Sequence, residues 1–565
     1  MNSNGMVRFP SFAAVVMIVI NLPLAAQDLD KGFPDSQSLK KTSGSPIFQV
    51  LNINNITAWQ RSDGRIWGSP NGEPSTIYPK NTVSAIYGGG IIWGAKAYLD
   101  PNYSVSPPGQ SIRLGGHVRA SSRRAGRIIG SGSTATGADP ADDDVRIYKI
   151  RRDYRELSPN ELRTEASDSY QVPLSSVSDA QITAVFNQYE KDWNEWPVLY
   201  GAPYVDRNGN GNYDPPPPFS ATFTVDSLIA RGYDEPGVAG ADPNSVADQV
   251  LWTVYNDLDP APTMYASEKL GTEAQATVWG YKSTGPLGHI FFRRVKIINK
   301  GGVLVGGQKV SLYLDSVYVA QESDPDLGDF VEDIIGCDTT LSLAFIYNGV
   351  AIDRQYKQFG LPPPSVGYDF LQGPRVPAPG DSAVFDLKRL HGWKNLPMTS
   401  FSYFSSGSAI ADPPGNVYEG ALRWWKLLRG YVPDPSTAPN RLYEHPPGVP
   451  QTKFPLSGDP VLKTGFLDGL GTQYSFAPGD RRIVMSSGPF RLAPGDTQEL
   501  VMGYIGGLGS DRVSSVAVMK FNDRFAQNTY DALFRVPRPP AGPSVKVAEL
   551  DGLIVLEWAS EGARV

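Results

Sequence analysis

The sequence predicts a mainly β protein: β-sandwich-type domains with a few packing helices and long loops. Three observations carry that expectation. Glycine (58) and proline (49) are frequent enough for many turns across 565 residues, and aromatics at 11% are ample for filling cores. Short segments recur in which apolar and polar residues alternate, the period of a half-buried strand. The length also exceeds the roughly 250–300 residues at which single cores stop growing, so at least two domains are expected.

Taken in order, the chain opens with Arg8, an apolar run from Phe12 to Ile20 and the small residues Leu24-Ala25-Ala26. That is the anatomy of a secretory signal peptide over 1–26, and the run is too short to span a membrane. Residues 27–45 are polar and turn-rich and read as a flexible leader. A β-rich region is expected over 46–215, with strands at Phe48–Ile56 and Ile91–Tyr98. The proline run Pro215–Pro218 marks the expected boundary to a larger β-rich region, 216–534. Its strands are read at 289–299, 309–319, 340–348, 482–487 and 498–506, as parts of one sheet system.

Four helices are signposted. Ser158-Pro159-Asn160-Glu161 and Ser178…Gln181 are capping boxes, in which a hydroxyl and a carboxyl or amide three residues on satisfy each other's backbone N–H groups. The second helix carries Ile182, Val185, Phe186, Tyr189 and Trp193 on one face and stops before Pro197. A third opens at Asn416-Val417-Tyr418-Glu419, with Leu422, Trp425 and Leu428 as its stripe. A fourth follows Ser510, with Val513, Val516, Ala517, Phe521 and Phe525. Aromatics at helical spacing are read as packing faces. No period of 20–50 residues is present, which argues against a solenoid or propeller. Residues 535–543 form a Pro-rich linker. Beyond it, 544–565 reads as a hairpin about an Asp551-Gly552 turn, ending in Trp558.

Composition narrows the function. A net charge of −7 argues against a nucleic-acid or anionic-membrane partner. Cys337 is the single cysteine, so no intrachain disulfide can hold the loops of an exported chain. Its apolar-then-acidic setting disfavours the thiolate, and a buried structural thiol is expected. Bound cations are the usual substitute for disulfides.

Calcium is the expected cofactor, on two clusters. Asp206, Asn208, Asn210 and Asp214 place side-chain oxygens at positions 1, 3, 5 and 9 of one loop, with Gly211 at position 6 for the tight turn and the carbonyl of Asn212 at position 7. Position 12, where an EF-hand supplies a bidentate Glu, is Pro217, so another carboxylate is required, with Asp234 and Asp242 as candidates. Asn and Gly in this pattern also form turns without any ion. Two carboxylates imply a weak extracellular site, on the order of 10⁻⁴–10⁻³ M. The second cluster is Asp324, Asp326, Asp329 and Asp333, followed by Asp338. Carboxylates this dense repel unless a cation neutralises them or water solvates them. A weaker third candidate spans Asp242 to Asp259, with Asp248, Asn256 and Asp257.

Catalytic signatures are missing: there is no Gly-x-Ser-x-Gly, no His-Glu-x-x-His and no P-loop. The histidines His117, His289, His391 and His445 are scattered. A glycosidase carboxylate pair leaves no spacing signature, and Trp59, Trp67, Trp93, Trp193, Trp196 and Trp252 are candidate sugar platforms, although core packing explains most of them.

Several phrases together, Ile53–Trp59, the Asp206 loop, Gln249–Asp257, Gly336–Thr339, Gly367–Pro374 and Ala493–Gln498, resemble large secreted proteins of Bacteroidetes-like Gram-negative bacteria. The Asp206 loop is itself similar to the calcium loops of dockerins and thrombospondin type 3 repeats. The resemblance implies fibronectin type III repeats, of which 544–565 looks like a truncated start, and export by type IX secretion. It implies no established activity. Two function classes follow: a secreted, calcium-stabilised structural or adhesive cell-surface protein without catalytic activity, or a secreted glycan-binding protein or glycoside hydrolase. The expected partners are cell-surface or extracellular matrix components, including glycans.

Overall fold

The computed structural model describes residues 46–72, 74–116, 124–218, 223–239, 246–259, 264–536, 545–550 and 553–558. The signal peptide, the leader, most of the Pro-rich linker, His117 and Asp242 lie outside these residues, and so do the side chains of Trp67 and Trp558.

The fold is mainly β, as expected, and antiparallel throughout. Strands β1 (Phe48–Leu51) and β2 (Thr57–Arg61) start a small four-stranded sheet. They are followed by β3 (Gly88–Tyr98), β4 (Ile112–Gly116) and β5 (Tyr148–Arg151). Three helices come next: α1 (Pro159–Tyr170), α2 (Asp179–Asn194) and the short α3 (Val225–Ile229). The chain then returns to strands with β6 (Gln249–Asn256), β7 (Thr272–Gly280), β8 (Ile290–Asn299) and β9 (Tyr313–Asp324). These lead to β10 (Asp333–Asp338), β11 (Leu343–Asn348) and β12 (Ser365–Gln372). A separate hairpin, β13 (Arg375–Phe385) and β14 (Lys388–Asn395), precedes β15 (Ser400–Ser405) and α4 (Tyr418–Leu427). Last come β16 (Arg481–Leu492), β17 (Thr497–Gly507), α5 (Arg512–Asp531) and the hairpin β18 (Val545–Leu550) with β19 (Leu553–Trp558).

Two large sheets organise the molecule. One has nine strands in the order β5-β6-β7-β8-β17-β12-β11-β10, with Arg124–Ala125 also paired to β6. The other has six, in the order β15-β16-β9-β3 and then Ile66–Trp67, with β4 also paired to β3. The strands read as one sheet system therefore divide between two sheets. Alternation along β17 shows how they face each other. Leu500, Met502 and Tyr504 join one core with Ile91, Trp93, Val319, Ile483 and Met485 of the second sheet. Val501 and Ile505 point the opposite way, into a core formed with Val516 and Met519 of α5, which continues along the sheet to Tyr189 and Trp193 of α2. The second sheet's outer face is covered by Trp424 and Trp425 of α4 and by Leu428 at its C-terminal cap, against Ile92, Ala320 and Val484. The result is four layers: helices, sheet, sheet, helix.

Local chemistry explains most elements. Both expected capping boxes are present at α1 and α2. Asp511 caps α5, accepting from the N–H groups of Val513 and Ser514. The expected start of α4 at Asn416 is corrected: the N-cap is Val417, with no side-chain cap, and the helix is held by its buried stripe instead. The single strand expected over 309–319 is also corrected. Gln308–Val310 pairs back onto Val303–Val305, and β9 begins only at Tyr313, because the Leu312 carbonyl is taken by the Asn299 side chain. Buried charge ties α1 to the sheet: Glu165 meets Arg151 at 2.5 Å and Lys149 at 3.3 Å. Burial opposes the Glu165 charge, but these two cations hold its carboxyl down at about 2. Strand pairing crosses the Pro215–Pro218 segment in the nine-stranded sheet, where β5 pairs with β6, and in the six-stranded one, where β3 pairs with β9.

Candidate cation sites and a surface groove

Three strand ends meet at one end of the sandwich. Asp324 is the last residue of β9, Asp480 immediately precedes β16, and Asp326 lies two residues beyond β9. One carboxylate oxygen from each lies within 4.8 Å of the others. That separation suits a shared cation, because oxygens bound to calcium at about 2.4 Å are at most about 4.8 Å apart. Asp333, at the start of β10, is fully buried behind them. One of its oxygens accepts from the Leu327 N–H at 3.2 Å, and the other meets no donor among the described residues. Burial, then the charges of Asp326 and Asp324, push its carboxyl well above the ordinary range. The cluster already contains one cation: the Arg482 guanidinium pairs with Asp324 at 3.1 Å and with Asp480. A metal ion at this place competes with that arginine.

The other members expected in this cluster are placed differently. Asp329 pairs with Arg354 at 2.8 Å. Asp338 lies at the far end of β10 from Asp333, on Lys520 at 2.8 Å and the Thr340 hydroxyl. Asp480 was missed from sequence because it lies more than 150 residues beyond Asp326 and belongs to no motif.

The Asp206–Asp214 loop curls on itself. Asp206 accepts from the N–H groups of Gly209 at 2.6 Å and Gly211 at 2.8 Å, and both glycines have positive φ. The amides of Asn208 and Asn210 donate to Asp214 at 2.8 and 2.6 Å, which holds that carboxyl below its ordinary value. A half-turn of either amide exchanges its nitrogen for its oxygen, the atom a cation requires. The Asn212 backbone N–H donates to the Asn210 side chain at 2.7 Å. Asp234 is buried beside the loop and clamps its ends, accepting from the N–H groups of Arg207 at 2.7 Å and Asp214 at 2.8 Å. The third candidate does not gather. Asp257 accepts from Leu270 and Thr272, Asn256 donates to the Gly126 carbonyl, and Asp248 accepts from Lys282.

Trp59, Trp93, Trp193, Trp196 and Trp252 are all core residues. Cys337 is buried, and burial pushes its thiol upward, away from reactivity. His391 meets the Ser382 hydroxyl at 2.9 Å on the exposed face of the β13–β14 hairpin, with no carboxylate on its ring among the described residues. That pair therefore lacks the orienting acid of a triad.

A different tryptophan, unflagged by sequence, lines a surface groove. A groove of about 500 Å³ separates the base of the β13–β14 hairpin from the rim of the sandwich. Its walls include Trp393, Arg375, Phe490, Arg491, Asp315 and Asp496. Arg491 pairs with Asp315 at 2.8 Å and lies over the Tyr103 ring. Burial opposes the Asp315 charge, but hydrogen bonds from Arg491 and Ser316 hold that carboxyl below the ordinary range. A glycosidase acid requires the reverse, a carboxyl held protonated near neutrality.

No protein-family model matches the chain, and no curated protein matches it either. No helix among the described residues is long and apolar enough to cross a membrane.

Proposed function

We propose that this chain is a secreted structural or adhesive protein of the cell surface, without catalytic activity, whose β-sandwich is stabilised by calcium. The observation that carries the reading is the convergence of Asp324, Asp326 and Asp480 within 4.8 Å where strands of both sheets end, with buried Asp333 behind them. An ion there ties β9, β10 and β16 together without a disulfide. The curled Asp206 loop, with two carboxylates and three amides, supplies a second and weaker position. The secretory signal read over 1–26 and the likeness to large surface proteins of Bacteroidetes-like bacteria, with fibronectin type III repeats and type IX export, belong to the same proposal.

A thermal melt in millimolar calcium and again in excess chelator tests it. The expected result is a rise of roughly 1–3 °C or more with calcium, as ligand binding to the folded state alone requires. The rise shrinks in Asp326→Asn and Asp480→Asn. Arg482→Gln melts lower in chelator and gains more from calcium, because the competing guanidinium is gone. Identical melts in both buffers, for the wild type and all three variants, sink the calcium reading.

The alternative reading, a glycan-binding protein or hydrolase, is favoured at one point by the Trp393 groove. The depressed Asp315 carboxyl supports binding there over hydrolysis.

A further inference from the structure

The groove beside the β13–β14 hairpin holds a cation with nothing to bind. The Arg375 guanidinium lies 4.0 Å from the Phe385 ring centre and 5.2 Å from that of Trp393. Among the described residues its side chain makes no hydrogen bond and no ion pair. Cation–π contact with two rings uses the charge of the guanidinium and none of its five N–H donors. Arg491, across the groove, is already committed to Asp315.

Charge over the hairpin points the same way. Between Arg375 and Asn395 stand Arg375, Lys388, Arg389 and Lys394 against Asp381 and Asp386, in a chain whose net charge is −7. Asp386 is itself neutralised by Arg294 at 2.7 Å and Lys296 at 3.0 Å of the large sheet. The hairpin is a basic arm on an acidic protein, and its groove side carries a half-buried indole.

We propose that this groove binds a uronate-bearing polysaccharide, with a pyranose face on Trp393 and the sugar carboxylate on Arg375. Indole faces take the C–H face of a sugar ring, and a planar guanidinium takes a carboxylate through two parallel hydrogen bonds. Ser316, Thr497 and Asp496 in the same wall offer partners for ring hydroxyls. An acidic peptide fits less well. The backbone N–H and carbonyl of Arg375 are both taken by the Gln498 amide, at 3.0 and 3.1 Å, so that stretch of β13 offers a peptide strand no ladder. This inference rests on the adhesive surface reading and gives it a ligand class.

Native affinity gels with the full chain test it. The gels contain polygalacturonate, alginate, hyaluronate, dextran or poly-glutamate at one ionic strength. Retardation by at least one polyuronate and not by dextran is expected. Apparent affinity should fall at least tenfold in Arg375→Gln and in Trp393→Ala, with melting temperatures unchanged. No retardation by any polyuronate overturns the proposal. Equal retardation by dextran removes the role of the carboxylate, and equal retardation by poly-glutamate that survives Trp393→Ala reduces the site to general charge. Either result overturns it. The calcium melt is read separately, so an empty groove and a failed scaffold reading give different patterns.

Discussion

Asp369 of β12 and Asp523 of α5 are both fully buried and hydrogen-bonded to each other, so they share a proton. Burial pushes Asp523 up to about 7 and raises Asp369 as well, with the Asp523 charge adding to the rise of Asp369. Gln527 donates to Asp369, while Asp338, Arg524 and Lys520 contribute the remaining field on Asp523. A carboxyl raised in the folded state contributes stability that is complete below its unfolded value, near pH 4, and is lost as pH rises through about 7. Asp523→Asn keeps a donor and removes the titration. It should melt above the wild type at pH 8 and level with it near pH 4, in a series of melts across pH. Parallel curves contradict the shared proton. A second residue is constrained by shape. Gly64 has φ +88°, and a Cβ there would stand 2.1 Å from the Tyr255 ring. Gly64→Ala should cost about 3 kcal/mol, read from the urea midpoint, by combining backbone strain with overpacking. Neither feature was legible in the sequence. Asp369 and Asp523 lie far apart in the chain, and one glycine among 58 gives no sign of which ring will face it.

At the scale of elements, α4 shows what a helix without a side-chain cap depends on. Trp424 is fully buried, edge-on to Phe404 at 5.6 Å, and it anchors the only helix among the described residues that covers the outer face of the second sheet. Trp424→Ala should cost about 3–5 kcal/mol, read by chemical denaturation. Trp425 and Leu428 were legible as part of the buried stripe of α4 because helical periodicity is local, whereas Leu422 is only half-buried and Ala421 and Trp424 fill the core instead. The capping boxes at Ser158 and Ser178 were legible for the same reason. The β13–β14 hairpin was not. Its strands are largely exposed on both faces, so Lys388–Asn395 lacks the alternation that marks a half-buried strand. Trp393 went unread with it, while Trp59, Trp93, Trp193, Trp196 and Trp252, which the sequence brought forward, lie in cores.

For the whole molecule, the two-layer β character was legible from turn frequency and alternation, but the partnership of strands was not. Pairing joins β3 to β9 and β5 to β6 across long stretches of chain, and nothing local specifies it. The same distance hid Asp480 from Asp324. Residues 46–215 expressed alone should therefore fail to fold cooperatively, since β3 and β5 lose these neighbours. A flat denaturant curve or weak amide protection would bear this out, and a sharp transition would establish an independent unit ending at Pro215.

One arrangement has a consequence for the order in which the molecule can be assembled. The adjacent strands β16 and β17 enter opposite sheets, β16 between β15 and β9 and β17 between β8 and β12. Until residues 481–507 have emerged, each sheet is two fragments with open edges, and open edges recruit other chains. Final closure of both sheets therefore waits for residues 481–507, hundreds of residues after β3 and β5. A chain ending at residue 480 should accumulate as light-scattering aggregate on dilution from urea, while the full chain stays clear.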